Sequence, residues 1–461
     1  MTNNSQITAD DFSDKKVVVL GAARSGLAAC RLLYDLGADV TLIDDFKSKK
    51  TIALDLNIPQ IKVKEAGYNP QTLDPDLLIP SPGIPDSHPL ISALIERGVP
   101  VYSEVELASR FTQAPIIAVT GSNGKSTVTS MIHEMMLAGG FNSFLGGNIG
   151  VPFTANVSEE RNLNPDSPVQ VVEVSSFQAE HLDRFRPDIA VFLNLSPDHM
   201  DRYPNLESYG KAKLQIVRNI ATSGWIVYHL DDPFYRSEFE SRECAIPFAD
   251  HPVDKALFLK ENEWIICKNQ RLIQVGELSL PGPHNIMNFI AAATAANLVG
   301  VDVSVITQVM REFKGLPHRL ELVGETGKVR YYNDSKATNV AAAKAALESF
   351  KDSIILILGG SDKGATDYPE LDHLIQERVK QIIAYGQAGI RLSKMYQGLV
   401  PILYEREFGP AVEVAHQISE AGDIVLLAPA CASFDQFNNY EERGESFRRL
   451  VQSFSEETIL A

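Results

Sequence analysis

Ile116-Ile-Ala-Val-Thr-Gly-Ser-Asn-Gly-Lys-Ser-Thr127 is the stretch that decides how this chain is built. A β-branched run, Ile116 to Val119, ends in a glycine loop, and a helical pattern follows Lys125, Ser126 and Thr127. That order makes a phosphate cradle. Backbone N–H groups of Gly121, Ser122, Asn123, Gly124 and the next helix's first turn face an anion, Lys125 neutralises it, and a hydroxyl reaches Mg2+. Only two residues separate Gly121 from Gly124, fewer than in the common form of this loop. A ligand-free glycine turn is the plain alternative. Strand, Gly-Lys-Ser-Thr and helix in the correct order weigh against it, so the expectation is ATP.

Working outward, 461 residues exceed one core's usual size and predict two to three domains. A hydrophobic content of 44% is ordinary for a globular chain. The net charge of −17, with no basic block, argues against a nucleic-acid partner. Cys30, Cys244, Cys267 and Cys431 are far apart, which suggests neither a zinc site nor a disulfide framework. The start, Met1 to Asp11, is polar and acidic, without a signal-peptide core. No apolar run is long enough to span a bilayer. A reducing cytoplasm and no membrane partner are the expectations.

Three blocks alternate strand and helix patterns, at residues 1–108, 109–317 and 318–461. In the first, Val17–Leu20 reads as a strand, a helix runs to Leu36, and further strands are Val40–Ile43 and Leu77–Ile79. The second adds strands Gln170–Val174, Ile189–Leu195 and Trp225–Tyr228, then an Ala-rich helix from Asn285 to Val299. In the third, Ile354–Leu358, Ile382–Tyr385 and Ile424–Leu427 each end in small residues, as ligand-facing strand ends do in open α/β sheets.

Candidate chemistry sits at the ends of these strands. Gly21-Ala-Ala-Arg-Ser-Gly26 resembles a dinucleotide fingerprint with Ala23 at the middle glycine, and Asp44 ends the next strand where a ribose-binding acid would sit. NAD, another diphosphate such as a UDP-sugar, and a tight turn with no ligand all stay open. Glu173 ends an apolar strand, where a carboxylate is costly to bury unless it is paired or binds a metal. The alternative is a solvent-facing Glu on an edge strand. Leu195 to Tyr203 gathers two acids, one His and one Arg, so His199 could ligate a metal or could, with Asp201, cap the loop. Lys213 falls on a predicted helix and could be a solvated lysine. Asn285 and Asn288 share a helix face and could read an adenine edge, although Asn285 also fits an N-cap. Gly315 to Glu321 reads as a hinge whose Arg319 could reach a phosphate. Three polar loops in the last block, Asn333–Asn339, Gly359–Lys363 and Pro429–Phe437, suggest a second substrate site.

Assembled, these motifs resemble the Mur ligases of peptidoglycan synthesis. The residues that carry the resemblance are Thr120–Thr127, Gly146-Gly-Asn-Ile-Gly150, Glu173-Val-Ser-Ser-Phe-Gln178, Asp198–Tyr203, His284-Asn285, Gly315–Arg319, Asn333–Asn339 and Ala430–Phe437. In the first block only Ser81-Pro-Gly-Ile84 and the Gly21 loop match. The family implies an α/β chain of three domains: a Rossmann-like domain for the UDP-substrate, a central P-loop ATPase-like parallel sheet, and a Rossmann-like domain for the amino acid. Asn333–Asn339 and Ala430–Phe437 point to the D-glutamate-adding branch, which acts on UDP-MurNAc-L-Ala.

On that resemblance Gly21, Ala23, Arg24, Ser25, Asp44, Ser81, Pro82, Gly83 and Asn148 hold the UDP-substrate. The phosphate loop, Asn285, Asn288, Arg319 and Asp334 hold ATP. Ser126, Glu173, His199 and a carbamylated Lys213 hold two Mg2+ ions. Thr338, Lys363, Ser433, Phe434 and Tyr440 meet D-glutamate, although Phe434 and Tyr440 depart from the Leu and Phe of some members. Lys125, His199, Lys213 and Lys336 are the implied catalytic groups, and a monomer is the implied state. The chemistry implied is an acyl phosphate attacked by an amine. Rival expectations are a sibling Mur or folylpolyglutamate synthetase-like ligase, a nucleotide-gated ATPase that ligates nothing, and an NAD-dependent oxidoreductase.

Overall fold

The structure, a computed structural model, describes residues 12–198, 200, 202–220, 223–351, 353–362 and 367–460. Its strands form three α/β sheets and one small antiparallel sheet. The first sheet holds β1 (Lys16–Leu20), β2 (Asp39–Asp44), β3 (Lys62–Glu65) and β4 (Leu77–Pro80), in the order β3-β2-β1-β4 and parallel throughout. The central sheet holds β5 (Ile116–Thr120), β6 (Asn142–Gly147), β7 (Pro168–Glu173), β8 (Ile189–Phe192), β9 (Trp225–His229) and β10 (Ala245–Phe248). Its order is β10-β9-β8-β5-β7-β6, again all parallel.

β5 lies inside that sheet and every one of its residues is buried. Such a strand needs apolar side chains on both faces. Ile116, Ile117 and Val119 supply them, at roughly 1.5–3 kcal/mol for each side chain fully removed from water. Phe12, Val105, Phe153, Val172 and Phe192 belong to one continuous core that also contains Val17, Leu33 and Leu42 of the first block.

A three-stranded antiparallel sheet follows, built from β11 (Phe258–Glu261), β12 (Trp264–Cys267) and β13 (Gln270–Gln274). The last sheet contains β14 (Glu321–Thr326), β15 (Val329–Asn333), β16 (Ile354–Gly359), β17 (Val379–Tyr385), β18 (Ile402–Glu405) and β19 (Ile424–Leu427). Its order is β14-β15-β19-β16-β17-β18, and only β14 runs antiparallel to its neighbour. By internal contacts the chain forms two compact bodies. One holds Met1–Gln274 and Met287–Val309, and the other holds Val275–Ile286 and Met310–Ala461. No helix among the described residues is long and apolar enough to cross a membrane.

Most strand expectations match to within a few residues. The expected strand Ile189–Leu195 is shorter and ends at Phe192. Beyond it Leu195 donates its N–H to Asp232 Oδ2 at 2.7 Å, a side chain where a sheet partner would otherwise stand. The antiparallel strand β14 and the small antiparallel sheet carry no signal that the sequence patterns above captured.

Candidate functional site

The phosphate loop occupies the turn between β5 and the helix Lys125–Ala138. Gly121 and Gly124 have φ of +154° and +83°, in the left-handed region that side chains avoid. A Cβ on Gly121 would stand 2.9 Å from Leu193 Cβ, and one on Gly124 would stand 2.6 Å from Asn288 Oδ1. The loop is braced from the end of β8. Ser122 N donates to Asn194 O at 2.8 Å and Asn123 N to Asn194 Oδ1 at 2.9 Å, while Ser122 Oγ and Ser196 N are 2.9 Å apart. Asn194 and Ser196 are absent from the candidate residues above. Their only signal was their place just beyond a strand end next to β5.

Lys125 Nζ donates to Gly121 O at 2.9 Å and to Ser122 O at 2.8 Å. Lys213, on the helix Leu206–Leu214, donates to the same Gly121 O at 3.0 Å. The solvated-lysine alternative is thereby overturned, because Lys213 is 1% exposed. Burial pushes its pKa well below the ordinary lysine value, and the neighbouring Lys125 charge pushes the same way against Asp198 and Glu173.

Glu173 closes the set. It ends β7, which has β5 on one side and β6 on the other, so the edge-strand alternative also fails. Its side chain is 2% exposed. Oε1 accepts from Asn148 Nδ2 at 2.7 Å, while the buried Oε2 has no hydrogen-bond partner among the described residues. Asn148 is held in turn by its own N–H, which donates to Glu173 O at 2.9 Å. A buried carboxylate oxygen without a donor, one strand from a phosphate loop and the buried Ser126 hydroxyl, has the chemistry of a hard-cation ligand. The donor set therefore fits Mg2+. His199 and Asp201 lie outside the described residues.

At the first sheet, Gly21 N donates to Ile43 O and Ser81 N to Leu20 O, so the loop, Asp44 and Ser81-Pro82-Gly83 share one sheet edge. A Cβ on Gly21 would meet Ser81 Oγ at 2.6 Å. Asp44 accepts from the N–H groups of Ala22, Phe46 and Lys47 at 2.7–2.9 Å. Burial alone would raise its pKa, yet these donors and Lys47 bring it below the usual value. Ala23 is the N-cap of the helix Arg24–Asp35, which Arg24 and Ser25 open. The guanidinium of Arg24 reaches Gly150 O at 3.5 Å, which ties this loop to the one that carries Asn148.

Asn285 is no N-cap. The helix begins at Pro283, Asn285 is its third residue, and its Nδ2 donates to Pro281 O at 2.7 Å. Asn288 approaches the phosphate loop at Gly124.

In the second body Asp334 is buried beside Arg319. Burial raises its carboxyl to about 7 against the opposing pull of Arg319 and the Leu320 N–H. His318 and Leu320, on either side of Arg319, have φ of +64° and +42°, a strained pair at a candidate phosphate contact. Lys336 Nζ donates to the Tyr440 hydroxyl at 2.9 Å and lies 4.5 Å from that ring's centre. Thr338 N donates to Lys336 O at 2.8 Å. Ser433 is buried and Phe434 is 67% exposed. Lys363 lies outside the described residues.

Three family models match the chain in order: a Mur ligase MurD-like N-terminal domain over residues 15–103, a Mur ligase middle domain over 119–296, and a Mur ligase glutamate ligase domain over 318–431. Among curated relatives, the UDP-N-acetylmuramoylalanine–D-glutamate ligase of Pelotomaculum thermopropionicum is 39% identical, covering 96% of this chain and 98% of its own. The ligase of the same name from Salinibacter ruber is 38% identical, with 97% and 100% covered. Of solved structures, UDP-N-acetylmuramate-alanine ligase MurC of Thermotoga maritima superposes with a TM-score of 0.59 at 18% identity, over 96% of this chain and 100% of that one. The MurF ligase of the same organism gives 0.57 at 15% identity, over 98% and 97%. These two neighbours share the three-domain fold. With a glycine-lysine phosphate loop, a buried acid one strand away and three successive family models along its length, the chain belongs to the Mur ligase family.

Proposed function

We propose that this chain is the ATP-dependent ligase that joins D-glutamate to UDP-N-acetylmuramoyl-L-alanine through an acyl phosphate, working as a cytoplasmic monomer in peptidoglycan precursor synthesis. The observation that carries this is the buried pair around Gly121 O and Glu173, on a chain whose full-length relatives bear the name of that ligase.

A carboxylate resists amine attack because its oxygen is a poor leaving group. Moving the terminal phosphoryl group of ATP onto that oxygen gives a carbonyl carbon whose phosphate can depart. The amine of D-glutamate then attacks that carbon, and phosphate leaves with the former carboxylate oxygen.

Gly121 to Thr127 cradle the triphosphate, and Lys125 exchanges its carbonyl partners for phosphate oxygens. Ser126 and Glu173 would hold one Mg2+ ion, and His199 with a carbamylated Lys213 would hold a second. Bound there, the ions offset the charge that builds on the transferring phosphoryl group. Lys213 suits carbamylation because its burial favours the neutral amine over the charged form, and the neutral form is the one that adds to carbon dioxide. Asn148 orients Glu173 and faces the acceptor carboxylate side. The first-sheet edge at Gly21, Ala23, Arg24, Ser25, Asp44 and Ser81 to Gly83 takes the UDP moiety. Asn285 and Asn288 serve the adenine, and Arg319, Asp334 and Lys336 steady the phosphates. Thr338, Lys363, Ser433, Phe434 and Tyr440 receive the amino acid. The domain limits follow as 1–108, 109–317 and 318–461.

Phosphate release with ATP, Mg2+ and UDP-MurNAc-L-Ala tests this, with D-glutamate, L-glutamate, L-lysine or meso-diaminopimelate added in turn. Release with D-glutamate, matched by a product of the right mass, is expected. Release with a different amino acid would reassign the chain within its family. Release that needs none would remove the ligase function. The carbamate has its own check. Activity unchanged after bicarbonate removal, together with an unmodified Lys213 by mass, would exclude it.

A further inference from the structure

The helix Tyr440–Leu460 opens with Tyr440-Glu-Glu-Arg-Gly444, which reads as a charged, solvated turn. Arg443 is instead fully buried. Its Nε donates to Ser335 Oγ at 2.9 Å. Nη2 donates to Ser335 O at 2.8 Å and Cys431 O at 3.2 Å. Nη1 donates to the Tyr385 hydroxyl at 3.1 Å, Cys431 O at 3.2 Å and Ala432 O at 3.3 Å. A guanidinium has five N–H bonds, and each of these acceptors is a neutral oxygen. No carboxylate pairs with it among the described residues.

Four of the five acceptors belong to two of the polar loops at the strand ends of the last sheet, and the fifth, the Tyr385 hydroxyl, is on the last residue of β17. Ser335 lies in Asn333–Asn339, between β15 and the next helix. Cys431 and Ala432 lead into Ser433 and Phe434 after β19. The third loop follows β16. Gly360 has φ +130°, and a Cβ there would stand 2.4 Å from Ala432 O and 3.1 Å from Arg443 Nη1. Ser361 N donates to Ala432 O at 2.8 Å. The neighbouring Gly444 seats the hinge, since a Cβ on it would stand 2.2 Å from His318 Nδ1. One planar cation thus joins two loops and the end of β17, and the third loop is tied to the same Ala432 carbonyl through Ser361 N.

Burying an uncompensated charge is expensive, and an apolar side chain would fill the same space at less cost. What an apolar side chain cannot do is donate to five oxygens at once. We infer that Arg443 is a positioning residue for the amino-acid substrate: it sets Lys336 and Thr338 on one side against Ser433 and Phe434 on the other. It makes no contact with the substrate, because its donors are spent within the protein. This rests on the assignment of these loops to the amino acid.

The test compares the full-length enzyme with Arg443→Met, Arg443→Lys and Tyr385→Phe, and measures KM for D-glutamate, ATP and UDP-MurNAc-L-Ala separately. Arg443→Met is expected to raise KM for D-glutamate about a hundredfold, as misplacement by an ångström does. KM for the other two substrates should stay within about twofold. Arg443→Lys should fall between, because its point charge cannot span the same acceptors. Tyr385→Phe removes one acceptor from a fold it leaves filled, and should raise KM for D-glutamate alone by about threefold. It decides the matter if the Arg443 variants do not fold. A fall in kcat with all three KM values unchanged, or a Tyr385→Phe enzyme with unaltered KM for D-glutamate, would overturn the inference. If the wild type turns over a different amino acid, the functional assignment fails, and the same contrast in KM is measured with that amino acid.

Discussion

Two buried basic side chains in this molecule are treated in opposite ways. Arg443 is surrounded by oxygens that use all its donors. Among the described residues Lys213 has one hydrogen bond, to Gly121 O, and lies over the Tyr209 ring, with Lys125 on the same carbonyl and a buried Glu173 oxygen without a donor in the same cluster. A fully satisfied polar network makes a rigid scaffold, whereas an under-satisfied one stores a cost that a ligand can relieve. The difference separates the part of the protein that holds loops still from the part that meets phosphate. It also explains how one chain can be stable while keeping a costly charge cluster, since the cost is confined to one strand end.

The contrast can be broken by substitution. Lys125→Ala should have the largest effect, about a thousandfold on kcat, with little change in binding of the amino acid. Steady-state kinetics with a thermal melt as a control would check it. A loss explained by unfolding would erase the distinction between the two regions.

Glu104 is a sharper control, because it too is a buried carboxylate with one oxygen unpartnered among the described residues, yet its hydrogen bonds go to Thr154 and not to the phosphate loop. Its Oε1 accepts from Thr154 N at 2.5 Å and Thr154 Oγ1 at 2.7 Å, at the start of the helix Phe153–Leu163. Burial raises its pKa from 4.5 to about 7, and the two Thr154 donors only partly oppose this. A raised carboxyl pKa means that the unfolded chain ionises first. Stability therefore falls as pH rises from 4.5 to about 7 and then levels off. The span corresponds to about 3 kcal/mol. Glu104→Gln should flatten that part of the pH–melting curve and raise the melting temperature at pH 8 while keeping activity. If it lowered kcat as far as Glu173→Gln is expected to, an unpartnered buried oxygen would not discriminate ligand sites.

Glu173→Gln keeps the shape of the side chain and an oxygen for Asn148, so it should lower kcat about a hundredfold while changing the stability of the free protein by no more than about 1 kcal/mol. Denaturant melts alongside kinetics would show whether the loss of activity comes without a loss of folding. The smallest effect belongs to Tyr440→Phe. It removes the hydroxyl from Lys336 but keeps the ring beneath the ammonium, so KM for D-glutamate should change by about threefold.

These regions also differ in how much the sequence disclosed. The phosphate loop was legible because strand, glycines, Lys125 and helix are consecutive, and local geometry follows from local residues. Glu173 was legible as an acid at the end of an apolar run. Its burial was not, since that depends on β6 pairing beyond it, and the Gly146-Gly147 end of β6 hid that strand. Lys213 looked like a surface lysine until the helix Leu206–Leu214 was placed against Gly121. Arg443 left no trace. Its partner Ser335 is 108 residues away, and its neighbours Glu441 and Glu442 suggest a wet helix face. Periodicity reports which face of an element is apolar and is silent about a cation that is buried to join loops.

The most direct test of the central claim is to follow oxygen. UDP-MurNAc-L-Ala labelled with oxygen-18 in its carboxylate would be turned over with ATP, Mg2+ and D-glutamate, and the released phosphate weighed by mass spectrometry. An acyl phosphate requires each phosphate to carry one labelled oxygen from the acceptor. Phosphate without label would mean that water, not the carboxylate, receives the phosphoryl group, and would contradict the ligase mechanism.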